Sequence, residues 1–321
     1  MLAAPCMLLG TRIGFCHLAQ SLKIFYTDQY VLPLPPGHRF PMRKYAMLRE
    51  RVQAAGLDGP DGLCPAPTAG DDDLLRAHDF EYVQRVTLGR LAHEEQRRIG
   101  FPWSLEMVER SRRSSGATLA ACEAALDDGA GVNLAGGTHH AFRDHGEGYC
   151  VFNDSAVAAL ALQNRGRIRR AVIIDCDVHQ GNGTAAILAD DPTVFTFSIH
   201  AANNFPFNKE HSDLDIELPD GTRDAQYLDE LERGLCTALS AAQPDLAIYL
   251  AGADPHEGDR LGRLKLTTVG LERRDRLVLE LCSSAGIPVA VSMAGGYGRR
   301  IDDTVDIHFN TVRATAQTFA K

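Results

Sequence analysis

The sequence predicts an α/β protein built on an open, mostly parallel sheet with helices on both faces. Short apolar runs at residues 171–175, 194–199, 246–250 and 289–293 are typical of buried strands. Helix-period segments at residues 156–164, 224–242 and 272–285 alternate with these runs. Because strands that alternate with helices form βαβ units, we expect one parallel sheet within a single domain.

Length and charge restrict the possible partners. The chain has 321 residues, of which 45% are hydrophobic, so it can bury a large core. Its 33 basic and 42 acidic residues give a net charge of −9, which argues against binding nucleic acid or an anionic membrane through bulk charge. A neutral or cationic substrate fits this balance better. No stretch approaches the roughly 20 uninterrupted apolar residues of a membrane span, which predicts a soluble protein.

The N-terminal segment and the cysteines bear on where the protein is found. We predict that residues 1–22 form a poorly ordered extension to a domain spanning residues 23–321, with an export signal as the less favoured alternative. The 8 cysteines form no CxxC pair, so they predict buried thiols in a reducing cytoplasm.

Two other segments should be irregular. Residues 32–41 are rich in proline, which favours a packed loop. The functional alternative is that this loop forms a wall beside the site, with Arg39 available to bind a polar group. Residues 55–73 combine Gly, Pro and Asp and are expected to form a surface loop.

The first segment with chemistry is AVIIDCDVHQGNG, residues 171–183, in which an apolar strand ends in polar groups. Ligands of open α/β sheets bind beyond the carboxyl ends of strands. In extended backbone Asp175, Asp177 and His179 share one side, with neighbours about 6 to 7 Å apart. Carboxylate and imidazole together are ligands for a divalent metal such as zinc. The alternative is a helix cap or a buried ion pair at a strand end.

A third acidic ligand is available at the end of another strand. The run at residues 246–250 leads into Asp254, and two Asp with one His leave a coordination position open for water, as in a catalytic site. His256 and Asp259 follow in a turn, where we expect loop or rim roles.

Two further strand ends carry groups suited to proton transfer. In VNLAGGTHHAF, residues 132–142, the adjacent His139 and His140 could serve as general base and acid, although loop histidines are often merely solvated. In VAVSMAGGYG, residues 289–298, Tyr297 could donate a hydrogen bond to a developing oxyanion or simply plug a tight turn. Together, these strand ends predict one site.

This set of motifs resembles the histone deacetylase family over most of the chain. The match includes GGTHHAFRDHGEGYCVFND at residues 136–154, DCDVHQGNG at 175–183 and GGY at 295–297. The string AGADPHEGDRLGRLKLTTVGL at residues 251–271 looks most like class IV deacetylases and their bacterial relatives. The resemblance implies the arginase/deacetylase fold, with residues 23–321 as the catalytic domain.

The resemblance also implies a set of roles. The cofactors would be one zinc ion, with ferrous iron as an alternative, and a structural potassium ion. The implied zinc ligands are Asp177, His179 and Asp254, and the implied potassium site lies near Asp175, Asp177, His179 and Ser198. The implied catalytic group is His139, His140, Tyr297, Asp175 and Asn182, and the walls of the substrate channel are Tyr149 and Phe205.

Within this group, Asp175 would orient His139, a role that fixes the tautomer of a histidine. Asn182 stands where many family members have an aspartate beside the second histidine, which implies weaker stabilisation of a protonated His140.

The function so implied is hydrolysis of an acyl-lysine amide by metal-activated water. The partner would be an acylated lysine in a protein or a small acylated amine. An acetylpolyamine amidohydrolase is the nearest alternative. A two-metal ureohydrolase would need a second ligand set, and a non-catalytic acyl-lysine-binding scaffold would have no use for the catalytic groups.

Overall fold

The structure, a computed structural model, describes residues 22–57 and 62–319. The extension predicted for residues 1–22 therefore lies outside the described residues, apart from Leu22. Among the described helices, none has both the length and the apolar character that a membrane crossing requires.

The core of the molecule is an eight-stranded sheet in which every pairing is parallel. The strand order is β2-β1-β3-β8-β7-β4-β5-β6. The strands are β1 (Lys23–Tyr26), β2 (Cys64–Pro65), β3 (Ala130–Asn133), β4 (Ala171–Asp175), β5 (Val194–Ala201), β6 (Leu214–Leu218), β7 (Leu246–Leu250) and β8 (Val289–Ser292).

Ten helices are described around this sheet, and side chains cap several of them. Ser104, Asn153 and Thr267 each accept a hydrogen bond from a backbone N–H in the first helical turn. The helices are α1 (Arg43–Ala54), α2 (Asp71–Ala77), α3 (Phe80–Thr87), α4 (His93–Ile99), α5 (Leu105–Asp128), α6 (Asp154–Asn164), α7 (Asn182–Leu188), α8 (Asp224–Ala242), α9 (Thr268–Ser284) and α10 (Ile301–Phe319).

Both faces of the sheet are buried, as the apolar strands require. Along β4, Ala171 and Ile173 pack in one core cluster with residues of α5 and α6. Val172 and Ile174 point the other way, into a second cluster with residues of α8, α9 and α10. Because successive side chains of a strand alternate between faces, a strand covered on both sides must be apolar throughout.

The strands predicted at residues 171–175 and 246–250 and the helix at 224–242 have the predicted bounds. Residues 32–41 are irregular, as expected. The prediction of a surface loop over residues 55–73 was wrong in part, because Cys64–Pro65 forms an edge strand beside β1 and α2 begins at Asp71. An edge strand tolerates proline, which lacks an N–H, and acidic residues stabilise the first turn of a helix.

The strand order brings the motif-bearing segments together. β3, β8, β7 and β4 are successive neighbours, and all run in the same direction. Their carboxyl ends therefore lie side by side, and the segments that follow them can share one site.

A buried arginine on α9 braces two of these strand ends from behind. Nη1 of Arg274 donates to the carbonyl oxygens of Gly252, at 2.5 Å, and Cys176, at 3.3 Å. Nε of Arg274 donates to Asp275 at 2.9 Å, and both side chains are fully buried. Arg274 thus ties the segment after β4 to the segment after β7.

We expect Arg274→Ala to lower the free energy of unfolding by about 3–5 kcal/mol, since it leaves the Asp275 carboxylate buried without its cation. On the same helix, Arg276 makes a partly exposed ion pair with Glu272, and Arg276→Ala should cost less than about 1 kcal/mol. Urea unfolding followed by circular dichroism measures both. Equal losses for the two variants would contradict a bracing role for Arg274.

Candidate active site

Asp177, His179 and Asp254 converge at the carboxyl edge of the sheet. Asp177 and His179 follow β4, and Asp254 follows β7, its neighbour. Nδ1 of His179 lies 2.9 Å from Oδ1 of Asp177 and 3.4 Å from Oδ2 of Asp254. All three residues are buried, and their ligand atoms lie within 4.8 Å of one another. Within residues 22–57 and 62–319, no second group of this kind occurs.

The surroundings of this triad fit a cation. Oδ2 of Asp254 is buried and has no hydrogen-bond partner among the described residues, although an unpaired buried carboxylate oxygen is costly. A Cβ atom on Gly295 would lie 1.9 Å from that oxygen and 2.5 Å from Oδ2 of Asp177. Glycine therefore keeps the space beside both carboxylates open. Two carboxylates and one imidazole are suitable ligands for zinc or ferrous iron.

The pKa values of the triad also indicate that this site favours positive charge. Burial, together with the neighbouring carboxylate of Asp177, raises the pKa of Asp254. Burial alone would lower the pKa of His179, but the nearby carboxylates of Asp177 and Asp254 raise it to about 10. Without a metal ion, the triad therefore holds a proton at neutral pH.

His139 and His140 lie beside the triad with different partners. Nδ1 of His139 is 2.6 Å from Oδ2 of Asp175, whereas Nδ1 of His140 is 2.7 Å from Oδ1 of Asn182. The ring centroids of the two histidines are 4.1 Å apart. In both rings Nδ1 is engaged, so Nε2 is the nitrogen left for chemistry.

These partners separate the two histidines electrostatically. Burial lowers the pKa of His139, but the carboxylates of Asp175 and Asp177 outweigh it and raise the value to about 9. Burial and the nearby His139 and His179 lower the pKa of His140 well below its usual value. At neutral pH the first histidine is therefore cationic and the second is neutral.

Tyr297 lines the same cavity at the end of β8. Its backbone N–H donates to Oδ2 of Asp259 at 2.6 Å, and the N–H of Gly295 donates to Oδ2 of Asp177 at 2.7 Å. Burial raises the pKa of the Tyr297 phenol, which keeps it protonated and able to donate a hydrogen bond. The tyrosine turn is thus fastened directly to a triad carboxylate.

Asp259 has a structural role in the loop after Asp254, as expected from the sequence. Its carboxylate is buried and accepts from the backbone N–H groups of Tyr297, Leu261 and Gly262. His256 also has a loop role, since its Nδ1 accepts from the N–H of Gly258. The link from Asp259 to Tyr297 gave no signal in the sequence because the two residues are 38 positions apart.

The cavity itself is narrow, at about 130 Å³, and partly aromatic. Tyr149 and Phe205 both line it, and Phe205 packs against His140 at a ring-centroid distance of 4.9 Å. From the proline-rich segment, the residue that lines the cavity is Phe40, whereas Arg39 is exposed and does not line it.

The residues expected to hold potassium also come together. Asp175 and Ser198 are register partners on the adjacent strands β4 and β5. Oδ1 of Asp175 accepts a hydrogen bond from the backbone N–H of Asp177 at 3.1 Å, and Oδ1 of Asp177 accepts one from the backbone N–H of His179 at 3.0 Å. The potassium ion stays a prediction.

Two further residues support the site without having been predicted. Asp154 accepts from the backbone N–H groups of Gly137 and Thr138, which fixes the loop that carries the histidines. The buried Lys44 donates to the carbonyl oxygens of Ala294 and Gly296 in the tyrosine turn. A lone Asp at a helix start and a Lys in a helix carry no periodic signal.

We expect Gly295→Ala to weaken metal binding by at least about tenfold, because the new methyl group occupies the space between the two carboxylates. Gly70→Ala is the matched control, since a Cβ there meets nothing within 4 Å. Competition with a fluorescent zinc chelator measures both affinities. Equal affinity in the two variants would refute the open space as a metal position.

Metal binding should release a proton, because His179 holds one when its pKa is about 10. The apparent metal affinity should then fall by about tenfold for each unit of pH lost below neutrality, for one displaced proton. Calorimetry in two buffers of different ionisation enthalpy counts the proton. The surface variant His93→Ala should behave like the unchanged protein, and equal heats in both buffers would exclude proton release.

Comparison with known proteins identifies the family of this chain. A model of the histone deacetylase domain matches residues 38–312. An uncharacterised protein of Picosynechococcus sp. is 45% identical over 296 residues, which cover 92% of this chain and 99% of that protein. The histone deacetylase-like amidohydrolase of Pseudomonas aeruginosa is 30% identical over 288 residues, which cover 83% of this chain and 74% of that one.

Solved structures agree on the fold. The crystal structure of a histone deacetylase homologue from Aquifex aeolicus matches with a TM-score of 0.80 at 23% identity, covering 92% of this chain and 84% of that one. The arginase/deacetylase fold expected from the sequence is thereby confirmed. Since the domain model spans most of the sequence, the chain belongs to the histone deacetylase family of hydrolases.

Proposed function

We propose that this protein is a metal-dependent deacetylase that hydrolyses acyl-lysine amides. The observation that carries the proposal is that the triad, two differently partnered histidines and a buried tyrosine line one narrow cavity. Each is a group that amide hydrolysis needs, and a binding protein would need none of them together.

Asp177, His179 and Asp254 would hold the metal ion, zinc or ferrous iron, in this proposal. When bound, the ion supplies a Lewis acid that polarises the amide carbonyl and makes a water molecule more acidic. The two carboxylates keep the site negative, and the backbone N–H of Gly295 orients Asp177 toward it. A potassium ion beside Asp175 on β4 and Ser198 on β5 would further stabilise the carboxylates.

The two histidines would have different roles, one in proton transfer and the other in charge stabilisation. His140 is neutral at neutral pH, so its Nε2 can take a proton from the attacking water and return it to the leaving nitrogen of lysine. His139, held cationic by Asp175, stabilises the negative charge that develops on the substrate. Loss of the amine and release of the carboxylate complete the hydrolysis.

The phenol of Tyr297 would donate its proton in a hydrogen bond to the carbonyl oxygen as charge develops there. Its raised pKa keeps the proton on the phenol throughout. Because the turn is fixed to Asp177 and Asp259, the donor is held in place before the substrate arrives, which is the arrangement that favours the transition state.

The shape and charge of the cavity favour a lysine side chain. Tyr149 and Phe205 give aromatic walls suited to a chain of methylene groups. Outside the triad, the charged side chains that line the cavity are Lys44 and the cationic His139, and neither attracts a polycation. We therefore favour acyl-lysine in a protein or peptide over an acetylated polyamine.

The test is a substrate panel on metal-loaded protein: acetyl-lysine peptides, longer acyl-lysine peptides and acetylspermidine, with released carboxylate as the readout. We expect Tyr297→Phe to lower kcat on acyl-lysine by about 10²–10³ with little change in KM. Tyr30→Phe, outside the cavity lining, is the control and should retain full activity.

Each other result has a definite meaning. Faster turnover of acetylspermidine than of every peptide would make the protein a polyamine amidohydrolase. Peptide binding without release of any carboxylate would make it an acyl-lysine-binding scaffold. Activity equal to that of Asp177→Ala on every substrate would refute metal-dependent hydrolysis.

A further inference from the structure

The partner of His140 is itself held by a glutamate. Nδ2 of Asn182 donates to Oε1 of Glu147 at 2.6 Å, while Oδ1 of the same amide faces Nδ1 of His140 at 2.7 Å. Asn182 is buried, and Glu147 is half-buried in the loop that follows the two histidines. The three side chains thus form a chain that ends in a carboxylate.

This chain fixes which way the amide of Asn182 points. An ionised carboxylate only accepts hydrogen bonds, so Glu147 requires the NH₂ group of Asn182 on its side. The amide oxygen must then face His140 and can only accept. Nδ1 of His140 must therefore carry the proton, which leaves Nε2 with its lone pair free.

The reverse orientation would disable the histidine. If the NH₂ group of Asn182 faced His140, Nδ1 would have to accept and the proton would move to Nε2. An Nε2 that already carries a proton cannot take one from water. A neutral amide offers both ends equally, so something beyond Asn182 must choose between them.

The loop holds Glu147 in place for this choice. The carbonyl oxygen of Glu147 accepts from the backbone N–H of Cys150 at 2.8 Å. The next residue, Gly148, lies so close to His140 that a Cβ would come within 2.6 Å of the imidazole ring. Glu147 therefore sits on a segment packed directly against the histidine that it influences.

We propose that Glu147 is a positioning residue that sets the tautomer of His140 through Asn182. Glu147 and Asn182 together replace the single aspartate that many family members have at this place, with the negative charge moved one side chain further from the ring. The proposal rests on the hydrolytic function proposed above, in which His140 transfers the proton.

The first test is Glu147→Gln, which removes the requirement for an acceptor-only partner because glutamine can present either end of its amide. We expect kcat on an acetyl-lysine peptide to fall by about tenfold, with KM unchanged within about twofold. Glu94→Gln, on the exposed helix α4, is the matched control for the lost charge and should retain full activity.

A spectroscopic readout separates orientation from folding. Long-range ¹H–¹⁵N spectra of zinc-loaded protein distinguish the two ring nitrogens of a neutral imidazole, and His140→Ala assigns the signal. We expect a single Nδ1-protonated form in the unchanged protein and a mixture in Glu147→Gln. An identical signal in the two proteins would overturn the proposal.

The second test exchanges the charges. Asn182→Asp places two carboxylates at hydrogen-bond distance and should lower kcat by at least about tenfold. Adding Glu147→Gln supplies a donor to the new aspartate and should restore most of the loss. If the double variant is no more active than Asn182→Asp, the two residues do not work as a unit and the proposal is wrong.

The two proposals can fail separately. Absence of hydrolysis by the unchanged protein would defeat the proposed function, while the tautomer of His140 would still be measured by its ¹⁵N signals. Hydrolysis by the unchanged protein with an unaffected Glu147→Gln variant would defeat the positioning role alone.

Discussion

The structure depends on burying the carboxylates of Asp177 and Asp254 beside each other. Removing like charges from water and bringing them together is strongly unfavourable unless cations and N–H donors compensate. Here backbone N–H groups of Val178, His179 and Gly295 donate to these two carboxylates. These donors do not reach Oδ2 of Asp254, which is buried without a hydrogen-bond partner among the described residues. The remaining negative charge therefore requires a cation.

The parallel sheet makes this concentration of charge possible. Because β3, β8, β7 and β4 are neighbours and run in one direction, their apolar strands remain in the core while every polar segment emerges at one edge. Arg274 then supplies a cation behind the edge, where it holds the carbonyl oxygens of Cys176 and Gly252. The strands provide rigidity, and the segments after them provide chemistry.

The sequence predicts the parts of the fold and of the site that depend on local patterns, and it does not predict contacts between residues that are far apart in sequence. Asp177, His179 and Asp254 lie shortly after the ends of apolar strands, so strand patterning locates them, and the fold follows from the same runs. Asp259 and Glu147 act on residues 38 and 35 positions away, through loops without periodicity. Nothing local marks such partners, and the short edge strand Cys64–Pro65 was missed for the same reason.

The site shows how two identical side chains acquire opposite properties. His139 and His140 are adjacent in sequence, and their rings are 4.1 Å apart, yet one faces a carboxylate and the other an amide. Two cationic imidazoles at this distance would repel each other, so the charge on His139 itself helps to keep His140 neutral. A carboxylate directly against His140 would oppose that effect. The amide of Asn182 avoids this conflict because it orients the ring without placing a full charge against it.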